Sequence, residues 1–369
     1  MPLDTIVPPH GGQLLQIAKQ FGIPPSELLD FSANINPEGP PPSVITALHT
    51  ALNKPEVFTD YPDLEETQLK LSIASYAGAS PANITVANGF VPLLETALHT
   101  LSIKSCLLPV PAFGEYRSTL ERADIEVVPY RLSHESDFHY QPDNLLDAIR
   151  AGHHDAIVIA NPQNPSGVLC DRALLITLIE TAATLNCHVL LDEAFIDYAP
   201  TCSLIREVEQ FSNLIVFRSV TKFHGMPGLR VAYAAGNSVL SQKLNQSLPP
   251  WPITTLAAIG VRTALADVSY AKQTLLLNQQ RRDFLSNQIN DLGFYSYPAA
   301  ANFLLLRLPF GVDSQIFWSR MILEHKIVLR NCANFEGLPS NHLRCAVRTD
   351  QQNARLIEAF RAIFSHSIQ

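Results

Sequence analysis

The strongest constraint on this chain is a rhythm: between Ile84 and Ala235, short apolar, β-branched segments alternate with longer amphipathic stretches. Ile84 to Ala87, Cys106 to Val110, Ile125 to Val128, Ala156 to Ala160, His188 to Leu191, Asn213 to Phe217 and Val231 to Ala235 each have the length and composition of a strand. Leu93 to Leu101 has a helical pattern. Alternation of this kind predicts βα units and a mainly parallel central sheet flanked by helices, an α/β fold. Sheets of that type bind ligands in the crevice at the carboxyl ends of their strands.

The rhythm breaks at Leu248-Pro249-Pro250-Trp251-Pro252, where the prolines can continue neither a helix nor a central strand. A domain junction is placed there. Beyond it, Thr255 to Asn290 reads as long helices, Phe303 to Leu308 as a strand and Gln351 to Phe364 as a terminal amphipathic helix. The Pro/Asn-rich stretch from Phe31 to Pro42 suits an ordered loop at the surface or over a cleft. The expected organisation is a large domain over residues 43–251, with residues 1–42 and 252–369 forming an N-terminal segment plus a smaller α/β domain.

With 369 residues, 47% hydrophobic and 16% charged, the chain can bury a sizeable core. Its net charge of -8 offers no diffuse attraction to nucleic acid or anionic lipid, so a phosphate-sized ligand must be held by local groups. No apolar run reaches the roughly 18 residues of a membrane span. The opening Met1 to Thr5 lacks the basic-then-apolar layout of a secretion signal, and the expected compartment is the cytoplasm. Cys106, Cys170, Cys187, Cys202, Cys332 and Cys345 lack metal-ligand spacing and read as buried thiols, with no metal expected.

Three segments can carry chemistry. Arg218 to Arg230 follows an apolar strand and combines small hydroxyl residues, Lys222, two glycines and Arg230. A lysine there can form a Schiff base when its amine is partly deprotonated, and hydroxyls with an arginine suit a phosphate dianion. The same segment also suits a solvated surface loop. Asp192, in Asp192-Glu193-Ala194-Phe195, stands at a strand end, where it can keep a pyridine nitrogen protonated or simply cap a turn. Asn164, in Asn161-Pro162-Gln163-Asn164-Pro165-Ser166-Gly167, sits in a rigid loop that can aim its amide at a ring oxygen or form an ordinary Asn-Pro turn. All three lie at strand ends of one sheet and can converge on one crevice.

In this order, with Asn88-Gly89-Phe90-Val91 upstream, the motifs resemble fold-type I pyridoxal-phosphate enzymes of the aspartate aminotransferase superfamily over nearly the full chain. The resemblance implies that Lys222 is the Schiff-base lysine, that Asp192 pairs with the pyridine nitrogen and that Asn164 contacts the ring hydroxyl oxygen. It also implies that Ser219 and Arg230 hold the cofactor phosphate, with the backbone of Gly89, Phe90 and Val91 at a helix N-terminus. Phe113 matches the aromatic residue stacked on the ring. Tyr61 matches a tyrosine that reaches the phosphate of a neighbouring subunit, implying a homodimer with shared active sites. Phe195 stands where many of these aminotransferases have tyrosine, which removes one hydrogen bond to the ring oxygen.

Within the superfamily, the chain resembles the histidinol-phosphate aminotransferase branch and the threonine-phosphate decarboxylase branch of cobalamin biosynthesis. His10-Gly11-Gly12, Asp30 to Pro37 and Leu329 to Phe335 lean toward the decarboxylases, as does Phe195. By that resemblance Arg344 is the leading substrate-anion ligand, with Arg330, Arg348, His10 and Asn34 as further candidates. A phosphorylated amino acid has two anionic ends and needs two cationic or N–H-rich sites. The expected activity is decarboxylation of L-threonine O-3-phosphate, with transamination of histidinol phosphate as the alternative. A non-enzymatic pyridoxal-phosphate sensor is a remote third reading, since no basic helix-turn-helix segment precedes position 30.

Overall fold

In the computed structural model, which describes residues 6–365, the apolar runs become strands of one seven-stranded sheet. Met1 to Thr5, read above for a leader, lie outside the described residues. After Leu29–Asp30 (β1), the sheet takes in Ile84–Ala87 (β2), Ser105–Val110 (β3), Glu126–Arg131 (β4), Ala156–Ala160 (β5), His188–Asp192 (β6), Leu214–Ser219 (β7) and Ala232–Ala235 (β8). Their spatial order is β2-β8-β7-β6-β5-β3-β4. Side chains alternate across a strand, and here both alternations are apolar. Ile157, Ile159, Val189, Leu191 and Val216 enter one core, while Val158, Leu190, Ile215 and Phe217 enter another on the opposite face. Both faces are covered by helices, as near-continuous apolar strands require.

β3, β4, β5, β6 and β7 run parallel, whereas β8 is antiparallel to both β7 and β2. A parallel return needs a long crossover, and residues 220–231 instead fold into two short turns, Val220–Phe223 and Pro227–Leu229. Those turns are left at the carboxyl end of β7, beside the ends of β5 and β6.

The smaller lobe is built around Tyr295–Ser296 (β9), Phe303–Arg307 (β10), Ile327–Val328 (β11), Arg330–Asn331 (β12) and His342–Ala346 (β13), with β1 pairing in parallel to β11. Its core joins Ile17, Ile23 and Phe31 to Leu285, Leu304, Trp318, Leu343 and Phe360, so the N-terminal segment completes this lobe. One feature differs from the expected junction at Trp251. The helix Thr255–Ala266 buries Ala257, Val261 and Ala264 in the same core as the main sheet, so the large lobe continues past the prolines to Leu265. Prolines end a helix, but they do not stop the next amphipathic stripe from packing back. The chain crosses to the smaller lobe only with the helix Val268–Asp291.

Candidate active site

A cleft of about 750 Å³ opens where the ends of β5, β6 and β7 meet the smaller lobe and residues 9–11 and 32–34. Its inner end holds the three strand-end motifs. Asp192 is the last residue of β6 and is buried; one carboxylate oxygen accepts from the Ala194 N–H at 2.8 Å and the other from the Tyr116 hydroxyl. Burial raises its carboxyl above the ordinary value, opposed by those two hydrogen bonds and by Lys222. Lys222 lies in the turn after β7. Burial and the guanidinium groups of Arg344 and Arg230 push its ammonium down to about 8, with Asp192 pulling the other way. An ammonium pushed down to about 8 is neutral in about a fifth of molecules near physiological pH, far more than an ordinary lysine and enough to supply a nucleophile.

The anion cradle lies alongside. Gly89 precedes the helix Phe90–Thr100, whose first N–H groups have no side-chain cap. Gly89 has φ +92°, and a Cβ there would stand 2.8 Å from the Arg230 guanidinium, so only glycine leaves this corner open. The Ser219 hydroxyl lies 2.7 Å from that of Thr221, and Ser219, Thr221 and Arg230 all line the cleft. An uncapped helix N-terminus, two hydroxyls and an arginine could hold a phosphate. Phe113 offers an apolar face beside it, with its ring 5.6 Å from that of Tyr116. Asn164 accepts from the Arg344 guanidinium through Oδ1, which leaves its Nδ2 donors available to a ring oxygen. These residues fit pyridoxal phosphate: lysine for the aldehyde, carboxylate for the ring nitrogen, amide for the ring oxygen and cradle for the phosphate.

The outer end is assembled from distant segments. Arg344, on β13, is buried; one nitrogen donates to the Ser32 carbonyl at 3.2 Å, its Nε has no protein partner, and it lies 5.1 Å over the Phe303 ring. Arg330 donates to the carbonyls of Pro8 (3.0 Å) and Pro9 (2.8 Å) and to Asn334 (2.6 Å), tying the N-terminal segment across the cleft. His10, next in that segment, pairs with Glu115 of the large lobe at 2.9 Å. Asn34 is buried with Oδ1 unpartnered, and it lines the cleft.

Two expected site residues lie elsewhere. Arg348 does not line the cleft: its Nε donates to Gln352 of the terminal helix, because it follows β13 and has turned away from the face that carries Arg344. Tyr61 is 80% exposed and stacks on Trp251 with ring centroids 4.7 Å apart, outside its own chain's cleft. Conversely, Tyr116, Thr221, Ser32 and Glu115 belong to the site without having been singled out. Tyr116 falls three residues after Phe113 on the helix Gly114–Arg122, a spacing that puts neighbouring positions on one face. Nothing in sequence spacing pairs Glu115 with His10. Among the described residues, no group of three or more His, Cys, Asp or Glu could hold a metal ion, and no helix is long and apolar enough to cross a membrane.

The family model for aminotransferase class I and II matches residues 26–360. Threonine-phosphate decarboxylase of Salmonella typhimurium is 32% identical over 359 residues, spanning 96% of this chain and 96% of the relative. Histidinol-phosphate aminotransferase of Methanosarcina mazei is 27% identical over 361 residues, 97% of this chain and 94% of the relative. The crystal structure of histidinol-phosphate aminotransferase from Clostridium acetobutylicum superposes with a TM-score of 0.85 at 27% identity, covering 92% of this chain and 100% of that one. With a match of that extent laid over strand-end lysine, carboxylate and phosphate cradle, the chain belongs to the class I and II aminotransferase family, the fold-type I architecture of pyridoxal-phosphate enzymes.

Proposed function

We propose that the protein is a pyridoxal-phosphate-dependent carboxy-lyase that converts L-threonine O-3-phosphate to (R)-1-aminopropan-2-ol O-2-phosphate and CO2, a step of cobalamin biosynthesis. The observation that carries this reading is the outer end of the cleft. Arg344 and Arg330, with the His10 ring, bring positive charge and N–H donors to the outer end beside Glu115 and Glu336, apart from the cradle of Ser219, Thr221 and Arg230, so the cleft can hold an anionic amino acid in addition to the cofactor phosphate. The decarboxylase relative at 32% identity supports the same substrate.

Bound pyridoxal phosphate supplies an electron sink for the pair released at Cα when the carboxylate leaves. The chain's residues do the rest. Lys222 would hold the cofactor aldehyde through its Nζ, and as a free amine beside the substrate it could carry a proton to or from Cα. Asp192, held by Tyr116 and the Ala194 N–H, presents a carboxylate toward the ring nitrogen. Arg344 orients an anionic end of the substrate, with Arg330, His10 and Asn34 serving the other. The N-terminal segment, pinned by Arg330 and closed by His10 and Glu115, limits water at the mouth. We also propose a homodimer in which Tyr61 reaches a partner's cleft. Exposed Phe58, Tyr61, Leu64, Leu52 and Trp251 supply the apolar surface for it.

Incubation of the cofactor-loaded protein with L-threonine O-3-phosphate and no keto acid, following CO2 and 1-aminopropan-2-ol phosphate, tests the reading. Release of both is the expected result. The second reading is an aminotransferase, favoured by the 27% identity to the Methanosarcina relative. It predicts no CO2, and turnover of histidinol phosphate only with 2-oxoglutarate. Cofactor binding with no chemistry on either substrate would leave a sensor and sink both.

A further inference from the structure

The turn that carries Lys222 is a helix of only four residues, Val220–Phe223, and such a turn leaves its last carbonyls without helical partners. The Lys222 carbonyl takes one local bond, from the Gly225 N–H at 3.3 Å, and Asn36 adds the rest. Its backbone N–H donates to the Lys222 carbonyl at 3.0 Å and its Nδ2 to the Phe223 carbonyl at 2.9 Å, while its Oδ1 accepts from the Glu38 N–H at 3.1 Å. The amide is thus oriented from both ends. The contact continues along the backbone: Gly225 has φ +62°, and a Cβ there would lie 2.5 Å from the carbonyl carbon and oxygen of Gly39.

The segment that brings Asn36 to this turn starts in the other lobe. The Phe31 N–H donates to Val328 and its carbonyl accepts from the Ala346 N–H, both at 2.8 Å, fastening it to β11 and β13. Between those anchors and Asn36, the Ser32 carbonyl accepts from Arg344, and Asn34 lines the cleft. One six-residue strap therefore joins the smaller lobe, the anion site and the lysine turn.

We infer that Asn36 is a positioning residue for Lys222, coupling the small-lobe anion site to the amine through the strap 31–36. This rests on the reading of Lys222 as the cofactor-holding amine. Loosening the cap lets the turn move away from Arg344 and admits water, and both changes return the amine toward an ordinary lysine.

The test uses the full chain freed of cofactor and follows the rate of pyridoxal phosphate capture, by absorbance, against pH. The wild type is expected to show a midpoint near Lys222's value of about 8. Asn36→Leu keeps the volume and adds no charge but loses the side-chain donor to Phe223 and the acceptor for Glu38. Its midpoint is expected to rise by about one unit, with kcat on the phosphorylated substrate down about tenfold and KM moving less. Gly225→Ala forces the same seam open from the other side and is expected to raise the midpoint likewise. Thr274→Val, which removes a neighbouring acceptor 3.2 Å from Nδ2 but leaves both caps, is expected to leave the midpoint in place. An unshifted midpoint in Asn36→Leu and Gly225→Ala overturns the inference, as does an equal shift in Thr274→Val. A wild type that captures no cofactor overturns the reading of the site itself, and the role of Asn36 with it.

Discussion

The two ends of the cleft are built in different ways. The inner end draws Asp192, Asn164, Ser219 and Lys222 from the ends of adjacent strands of one sheet, each directly after an apolar run. Backbone hydrogen bonding between strands sets their spacing, so short motifs suffice to place them. The outer end draws His10 and Asn34 from the N-terminal segment, Glu115 from a large-lobe helix, and Arg330 and Arg344 from two small-lobe strands. Its geometry depends on how two lobes and a strap dock. The inner end is therefore placed by one sheet, whereas the outer end depends on how the lobes dock.

Substitutions at the two ends should separate along this line. The largest effect is expected from Lys222→Ala, a loss of activity of about ten-thousandfold or more, together with loss of cofactor retained after borohydride reduction. Surviving retention would remove Lys222 from its role. Asp192→Ala should lower kcat by about a thousandfold with cofactor still partly bound, since it withdraws a charge aimed at the ring rather than the link itself. Most activity retained would contradict that role.

Moving outward, Arg344→Ala should raise KM for the phosphorylated substrate by about ten- to a hundredfold, the cost of losing charged hydrogen bonds at a buried site, with cofactor affinity nearly unchanged. A matching loss of cofactor affinity would mean that the two ends are not separable, because Arg344 also contacts Asn164. The smallest effect is expected from Glu115→Gln. Its pair with His10 is partly exposed, and such a pair is worth about 1 kcal/mol or less, so KM should move by about fivefold at most. A change in kcat would show that this pair governs closure over the chemistry and not the binding of an anionic end alone.

The inner strands of the main sheet were legible to within a residue or two, because their alternating side chains are apolar on both faces and no other burial suits them; the edge strand β4, half-exposed, runs three residues past the expected Val128 to Arg131. The position of Lys222 at a strand end was legible for the same reason. The helix Thr255–Ala266 joins the large lobe although it follows the proline run, since prolines mark where a helix stops and carry no information on which core the next one joins. Arg348 was grouped with Arg344 by adjacency, yet one sits on β13 and the other past its end. Tyr116, the hydrogen-bond donor to Asp192, was passed over because the two are 76 positions apart.

Sequence alone determined the sheet and the crevice at its strand ends, and it placed the residues to which the family resemblance gives chemical roles at that crevice. Each depends on local periodicity and on residues placed directly after buried strands, where the backbone dictates position. Only the tertiary structure decided that Arg330 pins Pro8 and Pro9, that Glu115 holds His10 and that Asn36 caps the Lys222 turn. Those contacts join segments up to some three hundred positions apart, and they exist because two hydrophobic cores close against each other, a result of the whole chain's packing that no short stretch of it encodes.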